Sequence, residues 1–232
     1  MSAPFVRLDI WQVPTRNIPR AFVFMGTLRR PLKKMQGLDF FKLLGTGSGR
    51  TFTARDADPR HWALLTVWES QQMADSLSES RTFQKWQGVS TAHAQLDLMA
   101  ISARGHWNGK EVFGCGTLEK WDGVTAALTR ASIKVRWWRE FWRSVPPVSA
   151  DLNTTSGLIA SLGIGEAPVG LQGTFSIWAN NDSITQFASR QRAHQEVVRK
   201  TSETGWYSEE LFARFKVINA HGSYNGVSLD SL

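Results

Sequence analysis

Apolar and polar positions along the chain switch between two periods. From Val6 to Val13, Leu8 and Ile10 alternate with Arg7, Asp9 and Trp11, the period of two expected of a sheet strand. Pro14 ends that run. From about Ile18, with Pro19 in the first turn, Ala21, Phe22, Met25, Leu28 and Leu32 keep helical spacing, while Arg29, Arg30, Lys33 and Lys34 fall mainly elsewhere. Strands are predicted at Phe40 to Thr46 and Trp62 to Trp68, a second helix from about Gln71 to Trp86, and a closing strand from Leu96 to Ala103. The order is β-α-β-β-α-β, a ferredoxin-like unit.

The chain then repeats itself. ISARGHWNG (Ile101 to Gly109) returns as INAHGSYNG (Ile218 to Gly226), Leu44 to Gly47 returns as Leu162 to Gly165, and TVWES (Thr66 to Ser70) returns as SIWAN (Ser176 to Asn180). The echoes keep their order, so they mark a duplicated module, and their spacing is too long for a solenoid. The second copy is predicted to hold strands at Leu128 to Ile133, Leu158 to Gly163, Thr174 to Trp178 and Phe215 to Ala220. Helices are predicted at Arg136 to Val145 and roughly Ser183 to Thr201. Gly205 to Phe212 reads as an insert that the first copy lacks. The Gly-rich joint at 108–123 sets repeats of 1–109 and 110–232. One ferredoxin-like sheet leaves a bare face, and two copies cover each other as a pseudo-dimeric α+β barrel.

Composition narrows the function classes. Eleven Trp and 13 Phe against two Tyr, within a 42% apolar chain, suit a dry core or a pocket for a small apolar substrate. The single cysteine, Cys115, excludes an internal disulfide framework and fits a reducing cytoplasm. In FGCGTL it reads as a small buried residue, with a thiolate haem ligand as the alternative. The chain has no apolar run long enough to span a membrane and no signal-peptide pattern at MSAPFVRLDIW. A net charge of +7 is spread over several segments without a nucleic-acid motif, so no nucleic-acid partner is expected. Trp138, Phe141, Trp142 and Val145 make an aromatic helix face with Arg136, Arg139 and Arg143 off it. That face either packs on the sheet or makes a peripheral membrane contact.

Chemistry concentrates on the last helix. Ile184, Phe187, Gln191, His194 and Val198 share one face, so His194 points where the apolar residues point. It is either a hydrogen-bonded core histidine or a metal ligand; the first copy holds Gln84 in that slot. His61, His93, His106 and His221 show no zinc-site spacing. LGTGSG and LGIGEA lack the G-x-G-x-x-G pattern and read as strand-terminal turns. No hydrolase motif is present.

Taken together, LTRASI (Leu128 to Ile133), REFWRSVPP (Arg139 to Pro147), GLIASLGIGEAPVGLQGTFSIW (Gly157 to Trp178), RQRAH ending at His194, and RKTSETGWYSEELFARF (Arg199 to Phe215) resemble the spheroidene monooxygenase family. FFKLLGTGSG and WALLTVWES extend the resemblance into the first copy. It implies a haem-containing oxygenase of the dimeric α+β barrel superfamily, acting on carotenoids at an allylic carbon. Relatives in that superfamily carry haem on the C-terminal copy through a helix histidine. His194 is then the expected iron ligand of one b-type haem, bound non-covalently for want of C-x-x-C-H, with Gln191, Phe187 and Trp178 around it. Arg130 is the expected distal group if its strand parity turns it toward the pocket. The implied reaction inserts oxygen into an activated C–H bond, with electrons from an external donor, in a cytoplasmic or membrane-associated protein. A peroxidase, a dehydratase, a non-catalytic haem binder and a homo-oligomer all stay open.

Overall fold

The structure is a computed structural model that describes residues 3–48, 56–114, 116, 120–134, 155–166, 173–190 and 207–232. Its first half supplies strands β1 (Phe5–Gln12), β2 (Leu38–Gly47), β3 (Ala57–Trp68) and β4 (Ala92–Gly105). The second supplies β5 (Thr125–Ile133), β6 (Leu158–Gly165), β7 (Gly173–Trp178) and β8 (Tyr207–Tyr224). Hydrogen-bonded neighbours run β4-β1-β3-β2-β6-β7-β5-β8, and β8 pairs back onto β4. Each half therefore has the ferredoxin-like strand order, and all pairings are antiparallel around a closed barrel. A short β9 (Val227–Ser228) folds back on the end of β8.

The repeated segments make the joints of this ring. Leu-Gly-x-Gly meets Leu-Gly-x-Gly across β2 and β6, where Gly45 pairs with Gly165 and Gly47 with Gly163. Asn108-Gly109 and Asn225-Gly226 are tight turns with positive φ at both residues (55° and 72°; 50° and 79°). That geometry favours Asn-Gly in a hairpin.

Strand alternation sorts side chains onto two faces. Leu8, Leu65 and Leu96 from the first half meet Leu128, Phe175 and Phe215 from the second in one buried cluster inside the barrel. A fully buried aliphatic or aromatic side chain contributes about 1.5–3 kcal/mol. The first half's outer face carries Trp11, Trp62, Trp68, Leu43 and Leu64, packed under α1 (Ile18–Thr27), α2 (Arg29–Leu32), α3 (Gln71–Asp75) and α4 (Arg81–Gln87). There Trp11 stacks on Trp86 with ring centroids 5.6 Å apart.

Two expectations change. The helix read as continuous from Gln71 to Trp86 is broken into α3, a 3-10 turn (Ser76–Glu79) and α4. Ser70 and Ser80 each accept from the backbone N–H three residues on, so two N-caps compete with one long helix. The described part of the supposed insert, Tyr207 to Phe212, is the start of β8, paired with both β4 and β5. Alternation through Leu211, Ala213, Phe215 and Val217 already carried the strand, and β4 covers the matching stretch of the first half. Cys115 and the predicted helix Arg136 to Val145 lie outside the described residues. So does the last helix beyond α5 (Asn181–Arg190).

Candidate functional site

The second half's sheet presents different chemistry on its two faces. Arg130 follows Ala126 and Leu128 in alternation and is 4% exposed inside the barrel. Its guanidinium donates to Glu209 Oε2 (2.5 Å), Glu166 Oε1 (3.0 Å) and Ser132 Oγ (3.0 Å), and lies 5.1 Å over the Trp107 ring. Trp107 Nε1 and Lys42 also donate to Glu166. Burial alone would raise the Glu166 carboxyl, but these donors and cations hold it below the ordinary carboxylate range. Glu209 is held low against its own burial penalty by the Gly109 and Asn108 N–H groups and by Arg130. Arg130 is thus the centre of a paired network that plugs one end of the barrel.

Trp178 and Phe187 lie on the opposite face. Their ring centroids are 5.6 Å apart, and they cluster with Ile184, Ala127 and Leu158 beneath α5. The structure therefore brings Trp178 and Phe187 together and sets Arg130 behind the sheet from them. This corrects the grouping of Arg130 with Trp178. A group resting on Trp178 and Phe187 would have the β5 backbone between it and Arg130, whose terminal nitrogens are already paired with Glu209, Glu166 and Ser132. Gln191 and His194 lie outside the described residues. Among the described residues no three His, Cys, Asp or Glu side chains converge as a metal site. A haem can be held by a single protein side chain, so that observation bears on clustered metal ions alone.

Register shows what distinguishes the outer faces. One cross-strand row of the first half reads Phe41, Thr66, Arg7, Asp97, and the corresponding row of the second reads Ser161, Ser176, Ala127, Arg214. The next row reads Leu43, Leu64, Asp9, Gln95 in the first half and Gly163, Thr174, Thr129, Phe212 in the second. Phe41, Leu43, Leu64 and Arg7 of the first half give way to Ser161, Gly163, Thr174 and Ala127, whereas on the fourth strand Gln95 and Asp97 give way to the larger Phe212 and Arg214. Interiors are close-packed, so small residues on one side of a layer leave room for a large group on the other. A flat macrocycle with apolar cover from Trp178 and Phe187 fits that description, and the donor set fits its acidic edge through Arg214.

Arg214 was not singled out from the sequence. It faces outward on β8, half-buried, and Nη1 donates to Asn181 Oδ1 (3.0 Å) and Thr185 Oγ1 (3.4 Å) on the first turns of α5. Burial lowers its pKa, and among the described residues no acidic neighbour offsets the effect. The available signal was its slot in the repeat, where the first copy has Asp97.

No protein-family model matches the chain. It is 33% identical over 215 residues to the spheroidene monooxygenase of Rhodobacter capsulatus, covering 91% of this chain and 89% of that protein. It is 32% identical over 189 residues to the spheroidene monooxygenase of Cereibacter sphaeroides, covering 81% of this chain and 58% of that protein. The Rubrivivax gelatinosus spheroidene monooxygenase is 31% identical over 191 residues, with 82% and 73% covered. An aldoxime dehydratase solved with butyraldoxime superposes with a TM-score of 0.59 at 10% identity, covering 93% of this chain and 79% of that one. A second aldoxime dehydratase structure gives 0.58 at 9%, covering 93% and 81%. The strand ring and these likenesses define the fold as a dimeric α+β barrel. The chain belongs to the spheroidene monooxygenase family.

Proposed function

We propose that this protein is a haem-dependent monooxygenase, with one b-type haem held on the outer face of the second half's sheet. The proposed reaction inserts one atom of dioxygen into an activated C–H bond of an apolar, carotenoid-like substrate. The single observation that carries the proposal is the exchange of Phe41, Leu64 and Arg7 for the smaller Ser161, Thr174 and Ala127 on that face. Family membership supports the monooxygenase class. The substrate class rests on the relatives' names and on the apolar character of Trp178, Ile184 and Phe187.

In this reading the haem supplies dioxygen binding and oxidising power. Trp178 and Phe187 cover its apolar surface and exclude water. His194, seven residues on from Phe187 in the sequence, would hold the haem iron through a neutral ring nitrogen. A second hydrogen bond from the other ring nitrogen would fix the tautomer. Electrons come from a separate donor, because the chain carries no flavin or nicotinamide fingerprint.

The test begins with haemin titration of the purified protein and of His194→Ala. A Soret band that saturates at one haem per chain in the wild type, and is lost or strongly shifted in the variant, is the expected result. Absence of stoichiometric uptake would overturn the cofactor assignment. The loaded protein is then incubated with a reductant system, isotopically labelled dioxygen and a carotenoid. Label in the product supports the oxygenase, whereas turnover without oxygen, or with peroxide alone, assigns a dehydratase or a peroxidase.

A further inference from the structure

We infer that Arg214 is an anion-binding residue of the second half's outer face, set to neutralise one negative charge on whatever group that face holds. The identity of that group rests on the function proposed above; that Arg214 has no carboxylate partner among the described residues does not.

The inference comes from one cross-strand pair and its counterpart. In the first half Arg7 faces Asp97 directly across β1 and β4. Its Nε donates to Asp97 Oδ1 at 2.6 Å, Nη1 to the Ala74 carbonyl at 2.8 Å and Nη2 to Asp75 Oδ1 at 2.7 Å. That guanidinium is closed by two carboxylates and a carbonyl. In the second half the same two slots hold Ala127 and Arg214, again directly across from each other. The cation has moved to the other strand, and the acid has disappeared rather than moved with it. Arg214 keeps two neutral oxygen partners, both on Nη1, and among the described residues no carboxylate lies within ion-pair distance. Its Nε–H and two Nη2–H groups, three of its five N–H donors, then make no hydrogen bond to a described residue and can meet a carboxylate or another anion. Ala127, directly across from Arg214, is smaller than its counterpart Arg7. It also packs toward Trp178 and Phe187, so the charge and that apolar cluster lie on the same face of the sheet.

The negative charge can sit on a carboxylate at the edge of a bound porphyrin or on an anionic ligand of its iron. Both present the same chemistry to a guanidinium, and titration separates them. Wild type, Arg214→Gln and Ala127→Asp are each titrated with haemin and with haemin dimethyl ester, and the loaded proteins with fluoride. If Arg214 holds an edge carboxylate, wild type prefers the free acid over the ester by about tenfold or more, and both variants lose that preference. If it faces a ligand on the iron, porphyrin affinity is unchanged and fluoride affinity falls about tenfold in both variants. Unchanged porphyrin and fluoride affinities in both variants overturn the inference.

Ala127→Asp also probes the apoprotein, because it rebuilds inside the chain the kind of pair that Arg7 and Asp97 make. Its Tm is expected to rise by a few degrees. Should the wild type take up no porphyrin at all, the haem assignment fails, and the anion site is judged on the apoprotein alone. Stabilisation of the wild type by propionate, absent in Ala127→Asp, supports the site; equal responses overturn it.

Discussion

Trp107 donates its indole N–H to Glu166 at 2.7 Å, tying the hairpin that ends the first half to the far end of β6 in the second. Glu166 also takes Lys42 and Arg130, so a single carboxylate joins three cationic or N–H donors from both halves. Glu166→Gln should destabilise the protein by about 2–4 kcal/mol, because Arg130 and Lys42 then lose their shared counter-charge in a partly dry site. The pH dependence has a definite sign. Glu166 and Glu209 have folded pKa values below the ordinary one, so their contribution is full above about pH 4.3 and is lost as pH falls through the folded values. Urea unfolding at pH 7 and pH 3.5 should show a smaller gap between wild type and Glu166→Gln at the lower pH.

The repeated glycines should be equally intolerant in both copies. Gly105 and Gly222 have φ of 92° and 81°. A Cβ would stand 2.1 Å from the Glu210 carbonyl oxygen at Gly105 and 2.0 Å from the His93 carbonyl oxygen at Gly222. Those clashes are with backbone of the neighbouring strand, which cannot rotate away. Gly105→Ala and Gly222→Ala should each cost more than about 2 kcal/mol, measured by denaturant midpoint. Gly109→Ala, with the same backbone sign but open space around it, should cost only about 1 kcal/mol.

Much of this architecture was legible in the sequence because period and repetition are local properties. The strand order of both halves and the helices of the first follow from residues read in line, whereas the Gly-x-Gly segments, read as strand-terminal turns, lie inside β2 and β6 and pair across them. Arg130 was placed correctly on its strand, yet grouped with Trp178, because parity assigns a face without saying which face binds. Arg214 was missed for a related reason. Recognising it requires knowing that Asp97 faces Arg7 and that Arg214 faces Ala127, and those pairings depend on registers between strands 87 residues apart or more. Loops of unequal length separate the copies, so no single offset aligns all four strands. The Gly205 to Phe212 misreading arose similarly, from comparing β8 with too short an estimate of β4.

Asp9 and His93 make a second, asymmetric prediction. Asp9 is completely buried, its Oδ1 bonds His93 Nε2 at 2.8 Å, and burial pushes its carboxyl above the ordinary range despite that partner. His93→Ala should cost about 3 kcal/mol at pH 7, because it strands a buried carboxylate. Asp9→Asn should change stability by less than about 1 kcal/mol, since an amide fills the space and still meets the imidazole without the ionic burial penalty. For a carboxyl with a raised folded pKa, the favourable contribution is complete below about pH 3.9 and is lost as pH rises through the folded value. Thermal unfolding across pH 3 to 8 should therefore show Asp9→Asn gaining on wild type as pH increases.

The sharpest test of the outer-face reading is to give the second half the side chains of the first. Ser161→Phe and Thr174→Leu install what Phe41 and Leu64 provide in the corresponding rows. Both sites lie on the strand face away from the barrel core, so the interior cluster of Leu128, Leu162 and Phe175 is untouched. Extra apolar volume there should leave the apoprotein folded, with an unchanged circular dichroism spectrum and a Tm equal to or above that of wild type. Haem uptake should fall at least tenfold in the double variant, because the added groups occupy the space the macrocycle needs. A control pair on the barrel side, Leu162→Met and Leu128→Met, should lower stability slightly and leave uptake intact. If the double variant binds haem as wild type does, the cofactor is not held on this face. If it merely unfolds, the small residues are required by packing of the chain itself, and the assignment of the face to a cofactor falls.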